Sequence, residues 1–363
     1  MVETKYKAMR DALRDEILSE KYRSGMPFPS VRALIRRFGH SAITVRHALD
    51  ELANEGLIRR TRGRGTYVSA HATARKIGLF VPGVAYSEFF PPLVDEVSRL
   101  ARENGYALCL GNVTAKDASV RAQQARETVA GFIAAGVSGV LYQPIEFVRD
   151  ALRLNADLAA EMTDAGIALV LIDRDIVPSP ARSGYDLVGV NNFQAGVLLA
   201  RHLMETGARR ICYLHGEGYA PLGDRYEGAK AALANAGRKV REMLLPDVSR
   251  ERSLLSSLSR LRPDAVICGN DHLAAMLLQL LAKKGRRVPE DVRVTGFDDV
   301  RLASLVSPPL TTIRQPIESI AATAFDRLVR RMGDADSPPV EINLPATLVV
   351  RASTQRRDEK TIS

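Results

Sequence analysis

Several polar residues in this chain of 363 stand where an apolar run stops. Asp173 follows Ala-Leu-Val-Leu-Ile, Asn270 and Asp271 follow Ala-Val-Ile-Cys-Gly, and Asp298 follows Val-Thr-Gly-Phe. Arg225 opens a helix after the first strand of a second repeat, and Phe89 and Phe90 stand in the loop after Ile77–Val81. Carboxylates, an amide and a guanidinium each make two hydrogen bonds in fixed geometry, which suits the paired hydroxyls of a sugar. An aromatic ring would stack on the sugar's apolar face, so one of Phe89 and Phe90 is expected in the core and the other at the ligand. A second group has a single sign: Arg59, Arg60, Arg62 and Arg64 crowd one short predicted hairpin that carries no acid. Four like charges so close together fit a polyanion lying beside them.

Each residue also has a purely structural reading. Asp173 can pair with Arg174, Arg225 with Asp224 or Glu227, and Asp298-Asp299 can shape a turn. Asn270 and Asp271 can cap the helix that follows. Asn270 is the better ligand group of the two.

Catalysis is not encoded. Gly216, Gly218 and Gly223 in Leu-His-Gly-Glu-Gly-Tyr-Ala-Pro-Leu-Gly miss the spacing of a dinucleotide loop, and neither a phosphate loop nor a nucleophile elbow occurs. His202, His215 and His272 are scattered, so no metal and no cofactor is expected. Cys109, Cys212 and Cys268 are odd in number and sit in apolar runs, which reads as buried free thiols. No apolar run reaches the length of a membrane span and no export signal is visible, so a cytoplasmic setting is expected.

The basic hairpin belongs to a small domain. Tyr6, Met9, Leu13 and Ile17 form the apolar face of one helix. Pro27 and Pro29 break the chain, Ser30 caps a second helix built on Val31, Leu34, Ile35 and Phe38, and Gly39 stops it. Ser41 caps a third, with Val45, Leu49 and Leu52 as its buried stripe and Thr44, Arg46 and His47 off the stripe; Gly56 ends it. The hairpin closes the series. This order is an α+β winged helix-turn-helix, in which the third helix enters a major groove and the wing follows the backbone. Residues 1–76 hold 16 Lys+Arg against 8 Asp+Glu, nearly the whole net charge of +9, so the electrostatic footprint for nucleic acid is confined to this domain.

The segment Pro-Ser-Val-Arg…Ser-Ala-Ile-Thr-Val-Arg…Glu-Gly-Leu…Gly-Arg-Gly-Thr over about residues 4–68 resembles the DNA-binding domain of GntR-family transcription regulators. The resemblance implies DNA contacts by Arg32, Thr44 and Arg46 and by the Gly63–Thr66 wing. Ser41, His47, Arg62, Arg64 and Gly65 complete the candidate face. Ala42 stands where the family usually has arginine, so the usual operator half-site need not apply.

Residues 69–76 read as a linker. Beyond them strands and helices alternate, and the pattern restarts at Ala208-Arg-Arg-Ile-Cys-Tyr-Leu-His-Gly. This predicts an α/β body of two doubly wound parallel-sheet lobes over 77–355. Lobe one is expected at about 77–175 plus 316–340, lobe two at about 190–310 plus 341–355, and a tail at 356–363. Ligands bind beyond the C-terminal strand ends, which two facing lobes bring to one cleft able to close.

The stretches Leu-Val-Leu-Ile-Asp-Arg-Asp, Val-Gly-Val-Asn-Asn-Phe-Gln-Ala-Gly, Ala-Val-Ile-Cys-Gly-Asn-Asp and Pro-Pro-Leu-Thr-Thr-Ile-Arg-Gln-Pro resemble the effector domain of the LacI family, a fold shared with periplasmic sugar-binding proteins. The resemblance covers about residues 75–355. It implies effector contacts at Phe90, Asp173, Arg225, Asn270 and Asp298, with Ser87, Glu88 and Phe89 as an approach loop. It also implies that the helix after Gln315-Pro316 returns to lobe one and that Thr347–Arg351 adds a strand to lobe two. A GntR-type head on a LacI-type body is the layout of arabinose-repressor-like regulators. The sequence is therefore read as a homodimeric repressor that binds a palindromic double-stranded DNA operator under the control of a small-molecule effector, expected to be a sugar. The resemblance implies that the sugar releases the DNA, while the residues alone leave the sign open. Alternatives are an activator, a regulator co-repressed by a nucleobase, and a sugar-converting enzyme fused to a DNA-binding head.

Overall fold

The computed structural model describes residues 2–19, 21–22, 25–55, 57–61, 65–69, 75–84, 88–146, 148–216, 220–239, 241–245 and 251–355. The chain divides into two compact units, a smaller one that includes Met1–Lys76 and a larger one that includes Leu108–Ser363.

The smaller unit holds α1 (Val2–Leu18), α2 (Val31–Phe38), α3 (Ala42–Asn54) and the hairpin β1 (Ile58–Thr61) and β2 (Gly65–Val68). The caps form as the sequence requires. Ser30 Oγ accepts from Ala33 N at 3.3 Å, Ser41 Oγ accepts from Thr44 N at 3.2 Å, and Gly39 closes α2 at φ 67°. Gly56, expected to stop α3, lies outside the described residues. Met9, Leu13 and Ile17 of α1, Leu34 of α2 and Val45, Leu49 and Leu52 of α3 share one core with Ile58 and Val68. Ion pairs then fix the angle between the helices: Arg10 Nη1 meets Glu51 Oε2 at 2.8 Å, and Arg14 pairs with Glu55. The prolines do more than break the chain. Phe28 N donates to Thr66 O at 2.8 Å and Val68 N to Met26 O at 3.0 Å, so this segment runs beside β2. The unit is a winged helix-turn-helix.

In the larger unit the elements run β3 (Arg75–Val81), α4 (Phe90–Glu103), β4 (Tyr106–Asn112), α5 (Ala118–Ala135), β5 (Gly139–Tyr142), α6 (Ala151–Asp164), β6 (Ala168–Ile172) and β7 (Asp186–Val190). After α7 (Asn192–Glu205) come β8 (Ile211–Gly216), α8 (Ala220–Asn235), β9 (Arg241–Leu245), α9 (Glu251–Leu261), β10 (Ala265–Cys268), α10 (Asp271–Lys283), β11 (Arg293–Thr295) and α11 (Arg301–Leu305). The chain ends with β12 (Thr312–Arg314), α12 (Ile317–Gly333), β13 (Glu341–Leu344) and β14 (Thr347–Val349).

Lobe one is a six-stranded sheet in the order β13-β7-β6-β5-β3-β4, and lobe two a four-stranded sheet in the order β11-β10-β8-β9. Their core strands read as continuous apolar runs because helices cover both faces. Two features depart from the expected division. Asp186–Val190, in the stretch expected to join the lobes, is a buried strand of lobe one. Its outer edge is then covered by β13, with Ile342 opposite Val188, although residues from 341 on were expected in lobe two. An exposed ladder edge on a fully buried strand needs a partner, and β13 supplies it. The chain reaches lobe two again at β14, where Leu348 faces Ile313 of β12. As expected, α12 returns to lobe one, held by Arg331 Nε to Asp186 Oδ2 at 2.8 Å and Arg327 Nε to Asp186 Oδ1 at 3.0 Å. No helix among the described residues is long and apolar enough to cross a membrane.

Candidate effector cleft and DNA interface

Arg225 is the most constrained charge of the body. It stands in α8, and α8 crosses α7 at backbone contact. A Cβ on Gly196 of α7 would fall 2.0 Å from Arg225 O, and one on Gly228 of α8 would fall 2.0 Å from Phe193 O. Only two glycines allow this approach. It brings Arg225 Nε to Asn192 Oδ1 at 2.7 Å, while Arg225 Nη1 donates to Gly269 O at 2.8 Å. The guanidinium carbon lies 3.3 Å from the ring centroid of Phe297.

Around this cation the strand ends deliver two acids, one from each lobe. Asp173 follows β6 in a left-handed conformation, φ 69°, and accepts from Gln143 Nε2 at 3.1 Å and from Arg174 Nη2 at 2.8 Å. Asp298, after β11 at φ 108°, accepts from Gln315 Nε2 at 2.7 Å. Burial raises the Asp173 carboxyl above its ordinary value, opposed by Arg225 and by the bond from Gln143. Burial likewise pushes Asp298 up to about 6, opposed by Arg225 and increased by Asp173. Asp173, Arg225 and Asp298 therefore share one electrostatic site, as their positions at strand ends suggested.

Other expected members are placed differently. Asp271 is fully buried: Thr312 Oγ1 donates to its Oδ1 at 2.6 Å and Val300 N to its Oδ2 at 3.0 Å. It ties β10 to the β12 segment instead of facing a ligand, and burial pushes it up to about 8 with the help of Asp298. Asn270 caps α10, accepting from Leu273 N at 2.9 Å, while its Nδ2 makes no bond among the described residues. Both Phe89 and Phe90 are about 7% exposed and meet edge to face at 5.5 Å. The open stacking face expected of one of them is therefore reduced to a rim. Glu88 Oε2 accepts from Arg301 N, at the start of α11, at 2.8 Å, a bond across the cleft from one lobe to the other. Ser87 lies outside the described residues.

Three residues escaped the sequence reading. Gln143 and Gln315 are 0% and 5% exposed, and their Oε1 atoms have no partner among the described residues. Each gives its NH2 to one of the two acids and keeps a buried acceptor. Gln143 follows β5 just as Asp173 follows β6, so the strand-end rule extended to every strand finds it. Asn192, which orients Arg225, was hidden in a helix start. No group of three His, Cys, Asp or Glu among the described residues is arranged to hold a metal ion. The three cysteines are unpaired, with Cys212 and Cys268 buried and Cys109 half-buried.

On the winged unit Arg32, Ser41, Arg46 and His47 are exposed and Thr44 is half-buried, gathered at the start of α2 and along the outer face of α3. Ser41 Oγ and Thr44 Oγ1 are 2.8 Å apart. His47 Nδ1 lies 3.8 Å from Glu51 Oε1. Ile43, beside Ala42, is 81% exposed, an apolar residue offered to solvent at the leading end of the helix. Of the hairpin arginines, Arg60 is committed to α3, its Nη1 2.5 Å from Asp50 Oδ1. The acid that the hairpin lacks comes from the neighbouring helix. Gly65 begins β2 at φ 107° and Thr66 is half-buried; Arg62, Gly63 and Arg64 lie outside the described residues.

Residues 5–68 match the gntR family of bacterial regulatory proteins, and residues 200–354 match the periplasmic binding protein-like domain. The chain is 27% identical to the arabinose metabolism transcriptional repressor of Geobacillus stearothermophilus, over 97% of this chain and 98% of that protein. It is 28% identical to the HTH-type transcriptional repressor PurR of Vibrio atlanticus, over 78% of this chain and 82% of that one. Among solved structures, a complex of the transcriptional regulator CelR with cellobiose superposes with a TM-score of 0.65 at 25% identity, covering 86% of this chain and 91% of that one.

Proposed function

We propose that this chain, a transcriptional regulator with a gntR-type DNA-binding head and a periplasmic-binding-protein-like body, is a cytoplasmic homodimeric repressor released from its operator by an uncharged sugar. It is a regulator and not an enzyme, like the relatives it matches. Residues 1–68 read the operator, 69–76 connect, and 77–355 bind the effector. Two heads on a two-fold axis suit a palindromic site.

The observation that carries the effector class is the balance of acceptors over donors. Asp173, Asp298 and the free oxygens of Gln143 and Gln315 are all acceptors when the acids are ionised. The cations are already engaged: Arg225 has two partners and a ring beneath it, and Arg174 pairs with Asp173 and Glu146. A ligand rich in hydroxyl donors completes such a site, whereas a phosphate would meet two carboxylates. Leaving a buried acceptor unsatisfied costs about 1–3 kcal/mol, so a polyol that reaches both glutamines is strongly selected.

Closing on the ligand would strengthen the Glu88–Arg301 bond and favour one lobe arrangement. Coupling of this kind is typically about 1–3 kcal/mol. On the DNA side Arg32, Thr44, Arg46 and the Gly63–Thr66 wing are the proposed contacts, and the exposure of Ile43 supports adding it as an apolar contact to a thymine methyl.

The test is a thermal-shift screen of the full-length protein against pentoses, hexoses, cellobiose, sugar phosphates and nucleobases, followed by operator binding with and without each hit. A neutral sugar should raise the melting point by mass action and lower operator affinity. A response confined to nucleobases would replace the sugar with a co-repressor. The burial of both phenylalanine rings weighs against it, since a nucleobase wants an open aromatic face.

A further inference from the structure

Lobe two carries a strongly basic edge that neither the cleft nor the winged head uses. Its four strands are parallel, so the loops entering β8, β9, β10 and β11 all lie on the edge opposite the strand ends that carry Arg225's partners. Exposed cations occupy every one of these loops. Arg209 and Arg210 precede β8, and Lys239 precedes β9. Arg260 and Arg262 precede β10, and Lys283, Lys284 and Arg286 precede β11.

Helix C-termini also end here, and cations at such ends are ordinary because they meet the last carbonyls. That role is already filled. Arg238 Nη1 donates to Ala208 O at 2.7 Å, Arg210 Nε to Arg262 O at 2.7 Å and Arg293 Nη2 to Thr206 O at 2.6 Å. The nearby acids are also engaged: Asp264 takes the backbone N–H groups of Arg209 and Arg210, and Asp291 takes Arg287. The side chains of Arg209, Lys239, Arg260, Arg262, Lys283 and Lys284 make no hydrogen bond or ion pair among the described residues. The remaining exposed acids of the edge are Glu205 and Glu290.

We infer that this edge is a second polyanion-binding surface, and that its partner is the backbone of double-stranded DNA, held without regard to sequence. Strands spaced about 4.8 Å apart set the four loops across about 15 Å, comparable to a DNA groove about 12 Å wide. None of the exposed large hydrophobic side chains among the described residues lies on these loops, so the edge lacks the apolar centre of a protein interface.

The test compares two charge-reversed full-length variants of equal net charge. One is Arg209→Glu, Arg260→Glu and Lys284→Glu, from three adjacent loops of the edge. The other is Arg126→Glu, Arg149→Glu and Arg153→Glu, exposed positions of lobe one. Affinity for a random-sequence 30-bp duplex is measured by anisotropy across a salt series. The edge variant should bind about tenfold more weakly at 50 mM salt, and its plot of log affinity against log salt should flatten by about 2.7, at roughly 0.9 for each phosphate no longer neutralised. The lobe-one variant should keep the parent slope. Equal weakening in both variants, or none in the edge variant, overturns the inference. Retained melting temperatures and an unchanged effector response show that each variant is folded.

Discussion

Asp173 of lobe one raises the cost of ionising Asp298 of lobe two, and Arg225 lies in the field of both. One buried guanidinium thus acts on two carboxylates that arrive on different sheets, while Arg174 pairs with Asp173 alone of the two.

Arg225→Ala removes the cation whose field lowers the pKa of both acids. The unliganded protein should lose about 1–3 kcal/mol at neutral pH, because Asn192 Oδ1 and Gly269 O lose their buried donor. The effector-induced thermal shift should vanish while operator binding survives. Arg225→Lys restores charge but not the fork, and should recover stability more than ligand response. A thermal shift that persists in the alanine variant would place the ligand elsewhere.

The helix crossing above Arg225 gives a second test. Gly196→Ala drives a methyl into the Arg225 carbonyl and should destabilise the fold by about 1–3 kcal/mol through overpacking. Effector affinity by calorimetry should fall about tenfold, equivalent to about 1.4 kcal/mol. Unchanged affinity would mean that the crossing does not position Arg225.

Glu88 links the lobes by accepting from Arg301 N. Glu88→Ala should leave the ligand's own hydrogen bonds intact but weaken closure by about 1 kcal/mol, a typical net hydrogen bond. The change should appear in the dissociation rate of the ligand and scarcely in its association rate. A loss of sugar selectivity would instead show that the carboxylate touches the ligand, as the family resemblance implies.

Asp271 makes stability depend on pH. Its carboxyl titrates at about 8 in the fold against an ordinary value of 3.8, so the folded state holds a proton that the unfolded chain releases first. Its stabilising share is full below the lower value, declines as pH rises and is lost above about 8. The melting temperature of the unliganded protein should therefore fall between pH 5 and 8 more steeply than that of Asp271→Asn. Parallel profiles would dismiss the effect.

On the DNA side, Arg46→Ala should weaken operator binding and leave effector affinity unchanged. Ile43→Ser should cost about tenfold on the operator, the scale of one mismatched base pair, and little on random duplex. Equal weakening on both sequences would make Ile43 a residue of no sequence preference.

Local chemistry was legible in the sequence. Ser30, Gly39 and Ser41 act through their own backbone, so the head's helices could be bounded before any packing was known. The same holds for Asp173 and Asp298, because the end of an apolar run marks a strand end wherever the strand lies. What stayed hidden depends on partners distant in the chain. Asp271 and Asn270 are adjacent and equally polar, and only β12 and its Thr312 decide which one turns inward. Glu341–Leu344 looks like any edge strand, and its lobe is set by the open side of β7. Gln143 stands at a strand end that the same rule could have marked, whereas Gln315 becomes notable only when its NH2 group is taken by Asp298, leaving its oxygen unused.

The glycine crossing locks α7 and α8 backbone to backbone, a few residues beyond Asn191, where the chain leaves β7. A ligand tugging on the guanidinium cannot be absorbed by a swinging side chain, since the backbones beneath have no slack. The pull would instead arrive at β7 of lobe one, turning occupancy of a small pocket into displacement of a whole lobe.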